Sequence, residues 1–198
     1  MGSGPSDSGT IALQDAYQQA LASGVLESYR MRRWLRGPEF ASLLTQDHLA
    51  VLTVAQALAL YRASGGRRSR EFGTNPIEEI RDSLDFLLFD TIKLEGRFDE
   101  CASPGGGFKL EGAGKEFVSY LLCLKDPNLF AFWSSHGDRT LRRMGIFPRG
   151  LGKGNLGMAY MDILEALQRV RQLMGLSDFR VVDEFAYAVT RPVKALAG

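Results

Sequence analysis

Residues 108–145 read FKLEGAGKEFVSYLLCLKDPNLFAFWSSHGDRTLRRMG, and the punctuation of this stretch decides how the chain folds. Gly112-Ala113-Gly114 forms a tight turn directly before Lys115 and an apolar helical run. Asp126-Pro127 breaks that run, and Ser134-Ser135-His136 opens a second helix carrying Arg139, Arg142 and Arg143. A glycine turn at a helix start leaves unpaired backbone N–H groups and the positive helix end facing the same way, which suits an anion. Two such starts close together, the second followed by arginines, point to a grip on a phosphate backbone.

Helical periodicity continues outward in both directions. Upstream, Thr10 caps a helix through Leu13, Tyr17 and Ala20, and Ser23-Gly24 ends it. Arg30, Arg32, Arg33 and Arg36 then surround Trp34, and Gly37-Pro38 leads into a short helix through Phe40 and Leu44. The next pattern predicts one helix from about His48 to Ala63, stopped by Gly65-Gly66, with Arg67, Arg68 and Arg70 in a loop. Asn75-Pro76-Ile77-Glu78 has the residues of a capped helix start, with Asn75 as the cap. Residues 96–109, with Pro104 and three glycines in a row, read as irregular loop, with a short strand at most near 107–110. Beyond Gly145 lie a glycine-rich loop, a long helix ended by Gly175, and a last helix capped by Ser177 and closed by Arg191-Pro192.

The fold class is therefore all-α, a compact multi-helix domain. Residues 1–9 are small and polar, a disordered start or a cloning remnant. Residues 10–198 form one helical domain, with N-terminal helices over 10–95, a core over 108–145 and C-terminal helices over 156–190.

Composition narrows the function classes. The 24 basic against 23 acidic side chains give a net charge of +1, so a surface for a polyanion has to arise by local clustering. Two cysteines, Cys101 and Cys123, are too few for a disulfide scaffold or a four-cysteine cluster. With only His48 and His136 beside them, no metal-ligand spacing arises, and neither metal nor cofactor is expected. Reduced thiols fit a cytoplasmic protein, and no apolar run approaches the roughly 18 residues of a membrane span. Gly152-Lys153 lacks the Ser or Thr after the Lys, and the strand before the loop, that a nucleotide-binding loop requires.

Leu110-Glu111-Gly112-Ala113-Gly114-Lys115 resembles the hairpin of the helix–hairpin–helix DNA glycosylase superfamily. That family's pattern is an apolar residue, a variable one, Gly, an apolar residue, Gly and a basic residue. Its downstream order is kept as well, over residues 110–145: Pro127, the apolar run Leu129-Phe130-Ala131-Phe132-Trp133, and a basic helix from Arg139 to Gly145. The resemblance implies a helix–hairpin–helix-like core whose hairpin amides hold a DNA phosphate, with Trp133, Ser134 and Ser135 lining the mouth of a former base pocket. The chain departs from the family where chemistry resides. Ser134 stands at the position of the catalytic Asp, Glu116 at that of the nucleophilic Lys, and the iron–sulfur cysteines are missing. Ser cannot stabilise a developing sugar cation by charge, nor can Glu form a Schiff base. Similar helical modules occur in restriction-type defence proteins.

No catalytic residue is assigned. The candidate nucleic-acid contacts are Gly112, Gly114, Lys115, His136, Arg139, Arg142, Arg143, Arg149 and Lys153. From Arg139 to Lys153 the chain has five basic residues and no acidic one, which favours an anionic partner over an ordinary solvated face. The glycine turn can also be no more than a connection requiring positive φ. Trp34 and Trp133 suit a core, and Glu78, Glu79, Asp82 and Asp85 an outer helix face. The reading is a DNA-binding module without glycosylase chemistry. Its alternatives are a helical protein–protein module of a defence or repair assembly, and an unorthodox glycosylase or nuclease subunit.

Overall fold

The computed structural model describes residues 7–151 and 155–191, and among them every regular element is a helix. In chain order these are α1 (Asp7–Ala22), α2 (Glu27–Arg33), α3 (Gly37–Leu43), α4 (Gln46–Leu49), α5 (Val54–Ala63) and α6 (Ser69–Phe72). There follow α7 (Ile77–Phe89), α8 (Leu94–Ala102), α9 (Lys115–Lys125), α10 (Ser135–Arg143), α11 (Leu156–Met174) and α12 (Phe179–Thr190). None of these helices is long and apolar enough to cross a membrane.

The centre of the fold is α9. Phe117 through Leu124 are all buried, so this helix is enclosed on every side rather than along one stripe. Its buried serine hydroxyl both donates and accepts: Ser119 Oγ donates to the Lys115 carbonyl and accepts the Trp133 N–H at 2.9 Å. The Tyr120 hydroxyl donates to the Arg33 carbonyl at 2.6 Å and so ties α9 to the end of α2. Around this axis α11 packs on α8, α10 on α12, and α1 against α12. Phe98, Trp133 and Tyr160 fill the α8–α11 side, with Phe98 and Tyr160 stacked at 4.3 Å. Gly157 permits the close crossing there, since a Cβ on it would lie 1.7 Å from the Glu95 carbonyl oxygen.

Several local expectations are corrected. The helix predicted from His48 to Ala63 is two: α4 ends at Leu49, and α5 restarts at Val54 behind a capping box of Thr53 and Gln56. Thr53 offers its hydroxyl to the Gln56 N–H, which outcompetes continuation of the helix. Residues 96–102, predicted as the start of the loop, belong to α8, with Phe98, Cys101 and Ala102 buried. No strand forms at 107–110. Asn75 does not cap α7: its amide is drawn to residue 111 instead, and Pro76 precedes the helix with no side-chain cap. The cap of α12 is Asp178, one residue past Ser177, which accepts the N–H groups of Arg180 and Val181. Asp7 to Gly9, placed in the excluded start, belong to α1, and Thr10 lies inside that helix.

Gly157→Ala forces the α8 and α11 backbones apart and is expected to destabilise by about 1–3 kcal/mol, or about 2–12 °C in Tm for a chain this size. Gly105→Ala, where an added Cβ meets nothing within 4 Å, is the control that leaves the melting curve in place.

Candidate nucleic-acid interface

The turn at 111–114 is held rigidly from behind. Asn75 Oδ1 accepts the Glu111 N–H at 2.9 Å, and its Nδ2 donates to the Glu111 carbonyl at 3.1 Å. The Tyr61 hydroxyl donates to the Gly112 carbonyl at 2.8 Å and accepts the Arg68 N–H at 3.1 Å. Lys109 Nζ donates to the Ala113 carbonyl. Gly112 sits at φ +74°, and a Cβ there would meet the Phe72 amide nitrogen at 2.8 Å, so both conformation and α6 demand glycine.

These bonds polarise the turn. The carbonyls of Glu111, Gly112 and Ala113 are taken up by protein donors, whereas the amides of Gly114, Lys115 and Glu116 find no acceptor among the described residues. Gly114 cannot cap α9 with a side chain. The N–H groups and positive end of α9 are thus left toward solvent.

They open into a cleft of about 720 Å³. One wall is the turn with Lys115 and Glu116; the opposite wall is Phe132 and the start of α10, Ser134 to His136. Arg33, Arg67 and Arg68 complete the lining. Arg33 is fixed: its Nη1 donates to the Ala63 carbonyl at 3.1 Å and its guanidinium lies 4.7 Å over the Phe132 ring. Arg68 pairs with Glu71, and Arg67 has no ion-pair partner among the described residues. The depression of about 360 Å³ bordered by Glu78, Arg81, Asp82 and Asp85 is smaller and mostly acidic.

The start of α10 is set by a buried carboxylate. Asp183, 3 % exposed on α12, accepts hydrogen bonds from the Tyr29 hydroxyl (2.6 Å), the Trp34 indole (3.1 Å) and the Ser134 hydroxyl (3.2 Å). Burial pushes its carboxyl above the usual carboxylate range, opposed by the nearby Arg33 charge and by these donors. Ser134 in turn accepts the Gly137 N–H, closing the first turn of α10. Its hydroxyl thus has its proton and one lone pair engaged.

His136 lines the cleft half-buried, with Nδ1 2.8 Å from Thr190 Oγ1. Burial first, then Arg139, Arg33 and Arg191, push its pKa down to about 4. The imidazole is neutral at physiological pH.

The structure thus gathers Gly112, Gly114, Lys115, Ser134, Ser135 and His136 around one cleft. Lys115 is not idle there: it pairs with Asp138 at 3.3 Å and rests 3.8 Å over the Trp133 ring. Trp133 itself stays in the core, 2 % exposed, its indole N–H bonded to Asp138 at 2.8 Å, and does not line the cleft. Arg139, Arg142, Arg143 and Arg149 lie outside the lining. Arg142 stacks 3.6 Å over Phe147, and Arg143 donates to the Val189 carbonyl at 2.6 Å. Lys153 is outside the described residues. Arg33, Arg67 and Arg68 were not among the candidates; the signal for two of them was a basic pair after Gly65-Gly66, with nothing in the sequence to place it beside the turn. Among the described residues no group of three or more His, Cys, Asp and Glu could hold a metal ion. Cys101 and Cys123 are buried free thiols whose pKa values burial pushes up.

No family model matches the chain, and neither curated proteins nor solved structures give a match.

Two outcomes follow from the buried groups. Asp183→Leu strands three buried donors, each costing about 1–3 kcal/mol, so urea unfolding should show a loss of several kcal/mol, with Asp183→Asn milder. His136 titrates below its unfolded value, so the unfolded chain binds the proton first, and stability falls as pH drops from about 6.5 toward about 4. His136→Phe should flatten the slope of stability against pH in that window.

Proposed function

We propose that this protein is a DNA-binding module, built on a helix–hairpin–helix-like core, that grips the phosphate backbone without glycosylase chemistry. The observation that carries the reading is the polarity of the cleft. The Glu111, Gly112 and Ala113 carbonyls are bonded to protein donors, and the Gly114, Lys115 and Glu116 amides are left without an acceptor among the described residues, beside Arg33, Arg67, Arg68 and Lys115. Such a surface offers donors and positive charge, the complement of phosphate oxygens. A net charge of only +1 makes this concentration more telling than a generally basic chain would be. Arg139, Arg142, Arg143 and Arg149 are exposed outside the cleft and would supply further positive charge for the same backbone. Ser134 and Glu116, where the resembling family places its catalytic Asp and Lys, support recognition in place of base excision, and the Ser134 hydroxyl is occupied by Asp183 and Gly137.

The test is a salt titration of binding to a labelled duplex. Arg67→Ala/Arg68→Ala should weaken binding uniformly across sequences and flatten the slope of log Kobs against log salt by about 2, roughly one for each phosphate that is no longer neutralised. Arg142→Ala/Arg149→Ala should act more weakly, because those side chains lie outside the cleft. Absence of binding at low salt would overturn the reading and turn attention to an acidic protein partner.

A further inference from the structure

Cations and amides recognise acceptor oxygens, yet the cleft also carries groups of the opposite kind. Glu116 brings a carboxylate with no side-chain partner among the described residues, and His136 brings an imidazole whose tautomer is set by Thr190. Thr190 Oγ1 donates to the Ala186 carbonyl at 2.6 Å, with the Tyr187 carbonyl farther off at 3.5 Å, so its single proton is already engaged. At 2.8 Å from His136 Nδ1, that oxygen has only lone pairs to offer. The ring proton therefore sits on Nδ1, and Nε2 is a lone pair with no protein partner among the described residues. Arg139 Nη2, 3.5 Å from Nδ1, is at the outer limit of a hydrogen bond and does not compete with the shorter contact.

The surroundings preserve this state. Tyr29 and Tyr187 meet the ring edge-on at 6.3 and 5.0 Å, Arg139 lies one turn along α10, and Arg33 and Arg191 approach from the ends of α2 and α12. Three cations beside an imidazole disfavour a second proton. A phosphate oxygen gains nothing from a neutral lone pair.

We propose that His136, oriented by Thr190, selects phosphate ligands that carry a hydrogen-bond donor next to the phosphate. This rests on the phosphate-binding reading and adds to it the ligand class, a nucleic acid whose base or sugar presents such a donor to the cleft. Two sources supply such a donor, an exocyclic amino group on the base and a 2′-hydroxyl on the sugar. Thr190 is a positioning residue: it decides which ring nitrogen is the acceptor.

The experiment compares three single strands of equal length. Deoxynebularine has the purine ring and no donor at either place, deoxyadenosine adds the amino group, and ribonebularine adds the hydroxyl. The full chain should bind one donor-bearing strand about three- to tenfold tighter than the deoxynebularine strand, as one hydrogen bond supplies. Whichever strand gains identifies the source. The ratio should hold from pH 5.5 to 8 and shrink in both His136→Phe and Thr190→Val, the second of which leaves the imidazole in place. A ratio near one, a ratio that climbs on acidification through pH 6.5, or one that survives both substitutions would overturn the selection by His136. Equal binding to all three strands would leave phosphate gripping intact. No binding to any would overturn both.

Discussion

A carboxylate shut away from water must find its hydrogen bonds within the protein, and at Asp183 three donors from distant parts of the chain converge. Tyr29 and Trp34 bring the second helix and the turn after it; Ser134 brings the start of α10; α12 brings the acid itself. Removing the acid leaves three buried donors unmatched, and removing a donor leaves the acid less compensated, so each partner enforces the others. Because Ser134 also closes the first turn of α10, and Arg33 follows Tyr29 by one turn, two walls of the cleft inherit their positions from this one group.

The opposite wall is positioned by a separate set of polar contacts, and their asymmetry gives the cleft its character. Asn75, Tyr61 and Lys109 take up the carbonyls of residues 111–113, and Asn75 also accepts the Glu111 amide, while the amides of residues 114–116 are left open among the described residues. Had the amides been satisfied in the same way, the turn would be a neutral connection. As it stands, unpaired N–H groups face a cleft into which Arg33, Arg67, Arg68 and Lys115 bring positive charge. A chain with almost balanced charge thereby concentrates one sign at one place, where the low-dielectric walls of a cleft strengthen it. Neutral His136 and acidic Glu116 break the uniformity of that field and give it a chemical direction.

Much of the fold was legible because helices are local. Leu156 to Met174 carries an apolar stripe between an Asn cap and a left-handed Gly175, and the structure adds only the neighbours it packs against. Where the local reading missed, a competing local signal was at work. Gly96 and the glycines after Pro104 hid the spacing of Leu94, Phe98 and Cys101, which is that of an amphipathic helix about two turns long. Thr53 and Gln56 form a capping box inside what reads as one continuous apolar pattern, and the box wins because it satisfies donors that a kinked helix would leave open. Asn75 looks like a cap, yet its amide bonds to the nearby Phe72 carbonyl and to Glu111, 36 positions away.

The sequence by itself determined the all-helical class, the glycine turn at 112–114, the cap at Ser134 and the enclosed run of α9, since each depends on residues a few positions apart. Tertiary structure alone decided that Arg33, Arg67 and Arg68 share a cleft with that turn, that Trp133 stays inside, and that Ser134 answers to Asp183. Long-range placement is set by which buried polar groups can satisfy one another once the apolar faces have closed. A one-dimensional pattern records that a group needs a partner but not which distant group supplies it.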